Sequence, residues 1–102
     1  MAQFVKVAGT DEIAAGSAKQ VEVNGKSIAL FNLGGNYYAI ANECTHKGGP
    51  LAEGFVEGES VTCPWHGGQF NIKTGAVEGP PPSKPVVKYN VRVQGKDVEV
   101  EV

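Results

Sequence analysis

Lys19-Gln20-Val21-Glu22-Val23-Asn24-Gly25-Lys26-Ser27-Ile28-Ala29-Leu30-Phe31-Asn32-Leu33-Gly34-Gly35-Asn36-Tyr37-Tyr38-Ala39-Ile40-Ala41 reads as three strands of an antiparallel meander. Val21 and Val23 alternate with polar residues, the pattern of a half-buried strand. Asn24-Gly25 follows at once, and both residues tolerate the positive φ that a two-residue hairpin turn requires. The partner strand runs from Ser27 to Leu33. Gly34-Gly35-Asn36 forms a second turn, and Tyr37 to Ala41 is the third strand.

The same texture extends outward on both sides. Phe4-Val5-Lys6-Val7 is a short strand, followed at Thr10-Asp11-Glu12-Ile13 by a turn or a single helical turn. Near the other end, Val87, Tyr89, Val91 and Val93 alternate with Lys88, Asn90 and Arg92. Gln94-Gly95-Lys96-Asp97 turns the chain, and Val98, Val100 and Val102 alternate with Glu99 and Glu101. No stretch carries the amphipathic pattern of a helix of normal length.

Between residues 42 and 84 glycine and proline crowd in. Strands shorten to Ser60-Val61-Thr62 and Gln69-Phe70-Asn71-Ile72, Lys73-Thr74-Gly75 is a turn, and Glu78-Gly79-Pro80-Pro81-Pro82-Ser83 is a stiff extended loop. We therefore expect one all-β domain over 1–102. Its base is 1–41 plus 85–102, antiparallel strands closed into a sandwich or partial barrel. Residues 42–84 form a smaller loop-rich subdomain, the place where function sits on a rigid scaffold.

Composition agrees. The 102 residues suit a single domain, and 14 glycines with 6 prolines point to turns rather than helices. A net charge of −2 argues against nucleic acid as a partner, since phosphate binding needs clustered Lys and Arg. No apolar run approaches the roughly 20 residues of a membrane span. Met1 to Gly9 lacks a basic segment followed by an apolar one, so no secretory leader is expected, and the cytoplasm is the expected compartment. A disulfide between the only two cysteines is not expected there. A monomer is the default.

Those two cysteines and the only two histidines all fall in the insert, as Cys44-Thr45-His46 and Cys63-Pro64-Trp65-His66, with 16 residues between. Thiolates and imidazoles select zinc, copper or iron–sulfur centres. A structural zinc site could use the same four residues. It pairs C-x2–4-C with H-x3–5-H, however, whereas each loop here offers one Cys and one His. A cysteine nucleophile is disfavoured because no Asp or Asn is evidently placed to orient a histidine.

C-x-H followed 16 residues later by C-x-x-H resembles the signature of the Rieske family. The flanking words fit as well: Cys44-Thr45-His46-Lys47-Gly48-Gly49-Pro50-Leu51 and Cys63-Pro64-Trp65-His66-Gly67-Gly68-Gln69-Phe70-Asn71. Pro80-Pro81-Pro82 matches the proline-rich loop that covers the cluster in that family. The resemblance spans essentially the whole chain. It implies one [2Fe–2S] cluster held by Cys44, His46, Cys63 and His66, with the two histidines the more exposed ligands. It also implies a soluble one-electron carrier with no catalysis of its own. Two ferric ions, two sulfides and two thiolates sum to zero when both imidazoles are neutral. An all-thiolate cluster starts from −2 and is harder to reduce.

The chain departs from the high-potential respiratory branch at four positions. There a second cysteine in each loop forms a disulfide; here those positions are Gly49 and Trp65. There a serine and a tyrosine donate hydroxyl hydrogen bonds to cluster sulfurs; here they are Gly68 and Phe70. Fewer donors leave the reduced cluster less stabilised, which places this chain near the low end of the Rieske range of about −150 to +300 mV. The resemblance is to the ferredoxins that pass electrons from a flavin-dependent reductase to the terminal oxygenase of aromatic-ring-hydroxylating dioxygenases. A nitrite reductase small subunit or a diiron monooxygenase ferredoxin is the alternative within redox chemistry, and a zinc module the alternative outside it.

Supporting roles follow. Gly48, Gly67 and Gly68 are either close-approach sites for backbone N–H groups or plain turn glycines. Leu51, Trp65 and Pro81 are placed to shield the cluster, although Trp65 equally suits an exposed docking residue. Glu43, Glu53, Glu57 and Glu59, against Lys47 alone within 42–63, form either a solvated face or an acidic rim that steers docking.

Overall fold

The computed structural model describes residues 3–43, 49–65, 67–79 and 85–101. Eleven strands are present among these: β1 (Phe4–Gly9), β2 (Ala18–Val23), β3 (Lys26–Leu33), β4 (Asn36–Ala41), β5 (Phe55–Glu57), β6 (Ser60–Thr62), β7 (Gln69–Asn71), β8 (Val77–Gly79), β9 (Lys88–Tyr89), β10 (Val91–Gln94) and β11 (Asp97–Glu101). A single 3-10 turn, Leu51–Glu53, separates β4 from β5. No helix among the described residues is long and apolar enough to cross a membrane.

The strands form three antiparallel sheets, ordered β1-β11-β10, β2-β3-β4-β9 and β5-β6-β7-β8. The meander lies at the centre. Its first hairpin closes at Val23↔Lys26, around Asn24 and Gly25, both at positive φ (52° and 77°). Its second closes at Leu33↔Asn36 around Gly34 and Gly35. The buried Asn32 secures that turn: its side-chain carbonyl accepts the Gly35 N–H, and its amide donates to the Ile13 carbonyl, both at 2.8 Å.

Strand β3 decides how the sheets stack. Ile28, Ala29, Leu30 and Phe31 are all fully buried, so both faces of the strand are covered. Alternation divides them. Ile28 and Leu30 join Ala8, Ile13, Val21, Val23, Ala39, Val98 and Val100 in a first core, between the meander and the β1-β11-β10 sheet. Ala29 and Phe31 join Ile40, Leu51, Val61, Cys63, Phe70, Ile72 and Val86 in a second core, under the small β5–β8 sheet. A strand covered on both faces reads as an unbroken apolar run, and Ile28–Phe31 is one.

The alternating run Val87–Val93 is not one strand. It serves two sheets: Lys88–Tyr89 pairs with β4, and Val91–Gln94 pairs with β11. The change occurs at Asn90, whose carbonyl accepts the Glu101 N–H and whose side chain donates to Glu101 Oε1, both at 2.8 Å. Tyr89 and Val91 pack against the first core, whereas Val87 and Val93 stand exposed. At Thr10–Ile13 the chain makes a tight turn. Glu12 N–H donates to the Gly9 carbonyl, and the Glu12 carboxylate accepts the Gly9 N–H and the Lys19 ammonium. That lysine, with the Gly9 amide, holds the Glu12 carboxyl below its ordinary pKa.

The sequence reading missed β5 and the 3-10 turn, where periodicity is too short to register. It also placed Glu78 and Gly79 in a loop, whereas they belong to β8. The small sheet is tied to the base through Gly75 (φ 81°), whose carbonyl accepts the Val86 N–H at 2.9 Å. A Cβ on Gly75 would run into the Val86 carbonyl. Replacing Gly75 by Ala is therefore expected to cost about 1–3 kcal/mol, from left-handed backbone strain plus that collision. Calorimetry of the iron-loaded protein should show a clearly lowered Tm; an unchanged Tm would refute this anchor.

Candidate metal centre

Of the four residues that the sequence singles out as ligands, Cys63 lies within the described residues. Cys44, His46 and His66 lie outside them, as do Gly48 and Pro81. Cys63 follows β6 directly and is 2% exposed, in the second core beside Leu51 and Phe70. Its thiol is in no disulfide.

The turn after Cys63 closes tightly. Cys63 N–H donates to the Gly68 carbonyl at 2.7 Å, and Gly67 N–H donates to the Cys63 carbonyl at 3.1 Å. Gly67 sits at φ 73°, a conformation that favours glycine. Its amide is thus spent inside the turn, which is the plainer of the two roles expected for it.

The first loop is fastened at its base. Glu43 and Pro50 form an isolated antiparallel bridge on either side of residues 44–49. Asn42, 4% exposed, holds the returning chain: its backbone carbonyl accepts the Leu51 N–H at 2.6 Å and its side chain the Ala52 N–H at 2.8 Å. Its own N–H donates to the Ser27 carbonyl at 3.0 Å, so the fastening runs back to β3. Gly54 presses onto β6, where a Cβ would collide with the Thr62 carbonyl. Sequence reasoning passed over Asn42. The available signal was a polar residue continuing a buried strand directly before Cys44.

The two loops meet at Gly49, which is buried. A Cβ there would lie 2.6 Å from Cys63 Sγ and 3.2 Å from Trp65 Cγ. Gly49 therefore leaves the space beside the thiol that any other residue would fill. Trp65 rests against this glycine yet remains 58% exposed. It covers the Cys63 side of the loop with one part of its ring and offers the rest to solvent, so shielding and docking are not exclusive. Leu51, by contrast, is fully buried beside Cys63.

The four acidic residues separate. Glu59 pairs with Lys73 at 3.4 Å, next to the β5–β6 turn, at the end of the hairpin away from Cys63. Glu43, Glu53 and Glu57 are exposed and pair with no cation among the described residues.

A model of the Rieske [2Fe-2S] domain family matches residues 3–90. The chain belongs to this family. It is 38% identical over 99 residues to the biphenyl dioxygenase ferredoxin subunit of Pseudomonas sp. (strain KKS102), covering 96% of this chain and 91% of that one. Among solved structures it resembles the ferredoxin of carbazole 1,9a-dioxygenase from Nocardioides aromaticivorans IC177, with a TM-score of 0.92 and 33% identity over 96% of each chain. It also matches, with a TM-score of 0.90 and 32% identity, a ferredoxin solved in a complex of reduced oxygenase and oxidized ferredoxin in carbazole 1,9a-dioxygenase. That match covers 95% of this chain and 91% of the other. The buried thiol, the glycine-sized space beside it and the two-thiolate, two-imidazole donor set of the loops fit the Rieske cluster.

Two substitutions test this fastening. Asn42→Ala removes the acceptor of the half-buried Ala52 amide and should cost about 1 kcal/mol, read as a lower Tm and faster iron loss to a chelator. Gly49→Ala places a methyl group against Cys63 Sγ and should shift the visible circular dichroism of the loaded protein. A wild-type spectrum for Gly49→Ala would mean that the space beside the thiol is not used.

Proposed function

We propose that this Rieske ferredoxin is the one-electron carrier of an aromatic-ring-hydroxylating dioxygenase system, shuttling between a flavin-dependent reductase and the terminal oxygenase in the cytoplasm. Cys44, His46, Cys63 and His66 hold its single [2Fe–2S] cluster. The observation that carries the reading is similarity, along nearly the whole chain, to ferredoxin components of such systems, joined to a buried cysteine at the meeting of two fastened loops. When bound, the cluster takes up one electron and gives it up again. The chain itself catalyses nothing.

Its residues do three things for that task. The second core, through Leu51, Val61 and Phe70, keeps water from the Cys63 side. Asn42, the Glu43–Pro50 bridge and the Cys63–Gly68 turn hold the loops in place, so little of the surroundings need rearrange when the charge changes. Phe70, with no hydroxyl to donate, fits a carrier near the low end of the family's potential range.

Purified protein should be red-brown, hold two irons and two acid-labile sulfides, and give a low-average-g electron paramagnetic resonance signal on reduction. Adding it to a flavin reductase and a ring-hydroxylating oxygenase should make product formation depend on it. A colourless, zinc-containing protein would sink this reading. With Glu43, Glu53 and Glu57 exposed, the second-order rate of electron transfer to the oxygenase should fall steeply as salt shortens the Debye length to about 10 Å at 0.1 M. A flat salt profile would remove the acidic rim from the mechanism.

A further inference from the structure

We infer that Trp65 holds the reduction potential of the cluster down by keeping water from the Cys63 sulfur. The inference rests on the electron-carrier reading above. Cys63 is 2% exposed, and two kinds of wall close it in. One is the second core, where Leu51, Val61 and Phe70 are fully buried beside it. The other is Gly49 with Trp65. The point that a Cβ on Gly49 would occupy lies 2.6 Å from Cys63 Sγ and 3.2 Å from Trp65 Cγ. Sulfur and indole are therefore within about 6 Å of each other, near the roughly 5 Å of a sulfur–aromatic contact.

The two walls differ in what lies behind them. Behind Leu51 and Phe70 is more core, so shortening either leaves a cavity. Behind Trp65 is solvent, which reaches 58% of its surface. Gly49 has no side chain to take the place of the indole. Removing the ring thus opens the Cys63 sulfur toward bulk water. Single exposed apolar side chains are ordinary on any surface. What sets Trp65 apart from Phe55, Val87 and Val93 is the sulfur shown behind it.

Water at that sulfur acts on the reduced state. With neutral imidazoles the oxidised cluster carries no net charge, and reduction adds one negative charge. Hydrogen bonds to sulfur and a polar medium favour the more negative state. Phe70 has no hydroxyl to give and Gly68 no side chain. A water molecule at Cys63 would supply the donor that both lack. Access of water therefore raises the potential, and an indole that bars it lowers the potential. A lower potential makes the reduced carrier the stronger electron donor. Trp65 acts here through the surroundings of Cys63, as a positioning residue that holds no metal itself.

The test compares the iron-loaded wild-type protein with Trp65→Ala, Trp65→Gln and Trp65→Phe, and with Val93→Ala as an exposed apolar control. In equilibrium with a reference dye of known potential, Trp65→Ala should shift electrons roughly threefold to tenfold further toward the reduced ferredoxin. Trp65→Gln, a polar side chain, should shift the same way, and it carries the measurement if Trp65→Ala sheds its iron. Trp65→Phe keeps an apolar cover and should restore most of the wild-type value. Val93→Ala should match wild type. Iron loss to a chelator should follow the same order, about tenfold faster in Trp65→Ala than in wild type. An unchanged or lowered potential in Trp65→Ala and Trp65→Gln overturns the inference, even where Tm and iron retention fall, since those alone describe a structural contact. An equal shift in Trp65→Phe and Trp65→Ala overturns it too. A loaded wild-type chain that takes electrons from no flavin reductase and drives no oxygenase overturns the functional reading instead, and the potentials still decide on Trp65.

Discussion

Burial of β3 on both faces is the constraint from which the rest of the molecule follows. With Ile28, Ala29, Leu30 and Phe31 all excluded from water, one strand is the wall between two cores. Burial of Ile28, Leu30 and Phe31 contributes about 1.5–3 kcal/mol each relative to exposure. A small domain buries a limited share of its surface, so a strand used on both sides is an economical centre. The first core makes the base rigid. The second gives the small sheet something to stand on, and Cys63 is part of it.

That arrangement explains how two irregular loops can be held with no α-helix among the described residues. Every fastening leads back to the meander or to the small sheet. Asn42 continues β4 and bonds both to Ser27 of β3 and to the chain returning from the first loop. Val86 is fixed by Gly75, and Val87 by Ala41, so the chain emerging from residues 80–84 is seated against both the insert and the base. The second loop turns on bonds between Cys63, Gly67 and Gly68. The described ends of both loops are thus anchored on the cores beneath them.

Much of this was legible because it rests on local chemistry. Asn24-Gly25 and Gly34-Gly35 announce hairpins through the positive φ they permit, and the structure places both turns there. The unbroken run Ile28–Phe31 has the pattern of a strand buried on both faces, but the sequence reading took from it only the partner strand. What periodicity could not supply was allegiance between sheets. Val87–Val93 alternates like one strand, yet Asn90 hands the chain from one sheet to another, and no side-chain pattern encodes that change. Strand β5 was invisible for a different reason: Phe55 faces out and Val56 in, but three residues are too few to show a period. At the site, residue chemistry pointed to Cys63. The meeting of Gly49 with Cys63 and Trp65, however, depends on residues brought together from two loops.

The Gly49–Trp65 contact also gives physical meaning to a difference from the respiratory branch. Where that branch joins the two loops through a disulfide, these two positions lie against each other here without a covalent bond. A disulfide closing a loop of this length contributes about 3 kcal/mol in the chain-entropy view. An indole laid on a glycine recovers part of that through burial and dispersion. The two devices differ in what they tolerate. A disulfide persists only while its own potential lies below that of its surroundings. The packing contact is indifferent to redox poise, which suits a carrier that is itself repeatedly reduced. It also leaves more than half of the tryptophan surface facing outward, where a covalent bridge would present far less apolar surface. Replacing the bridge with Gly49 and Trp65 thus exchanges some rigidity for a recognisable surface, and the double-sided burial of β3 makes that exchange tolerable.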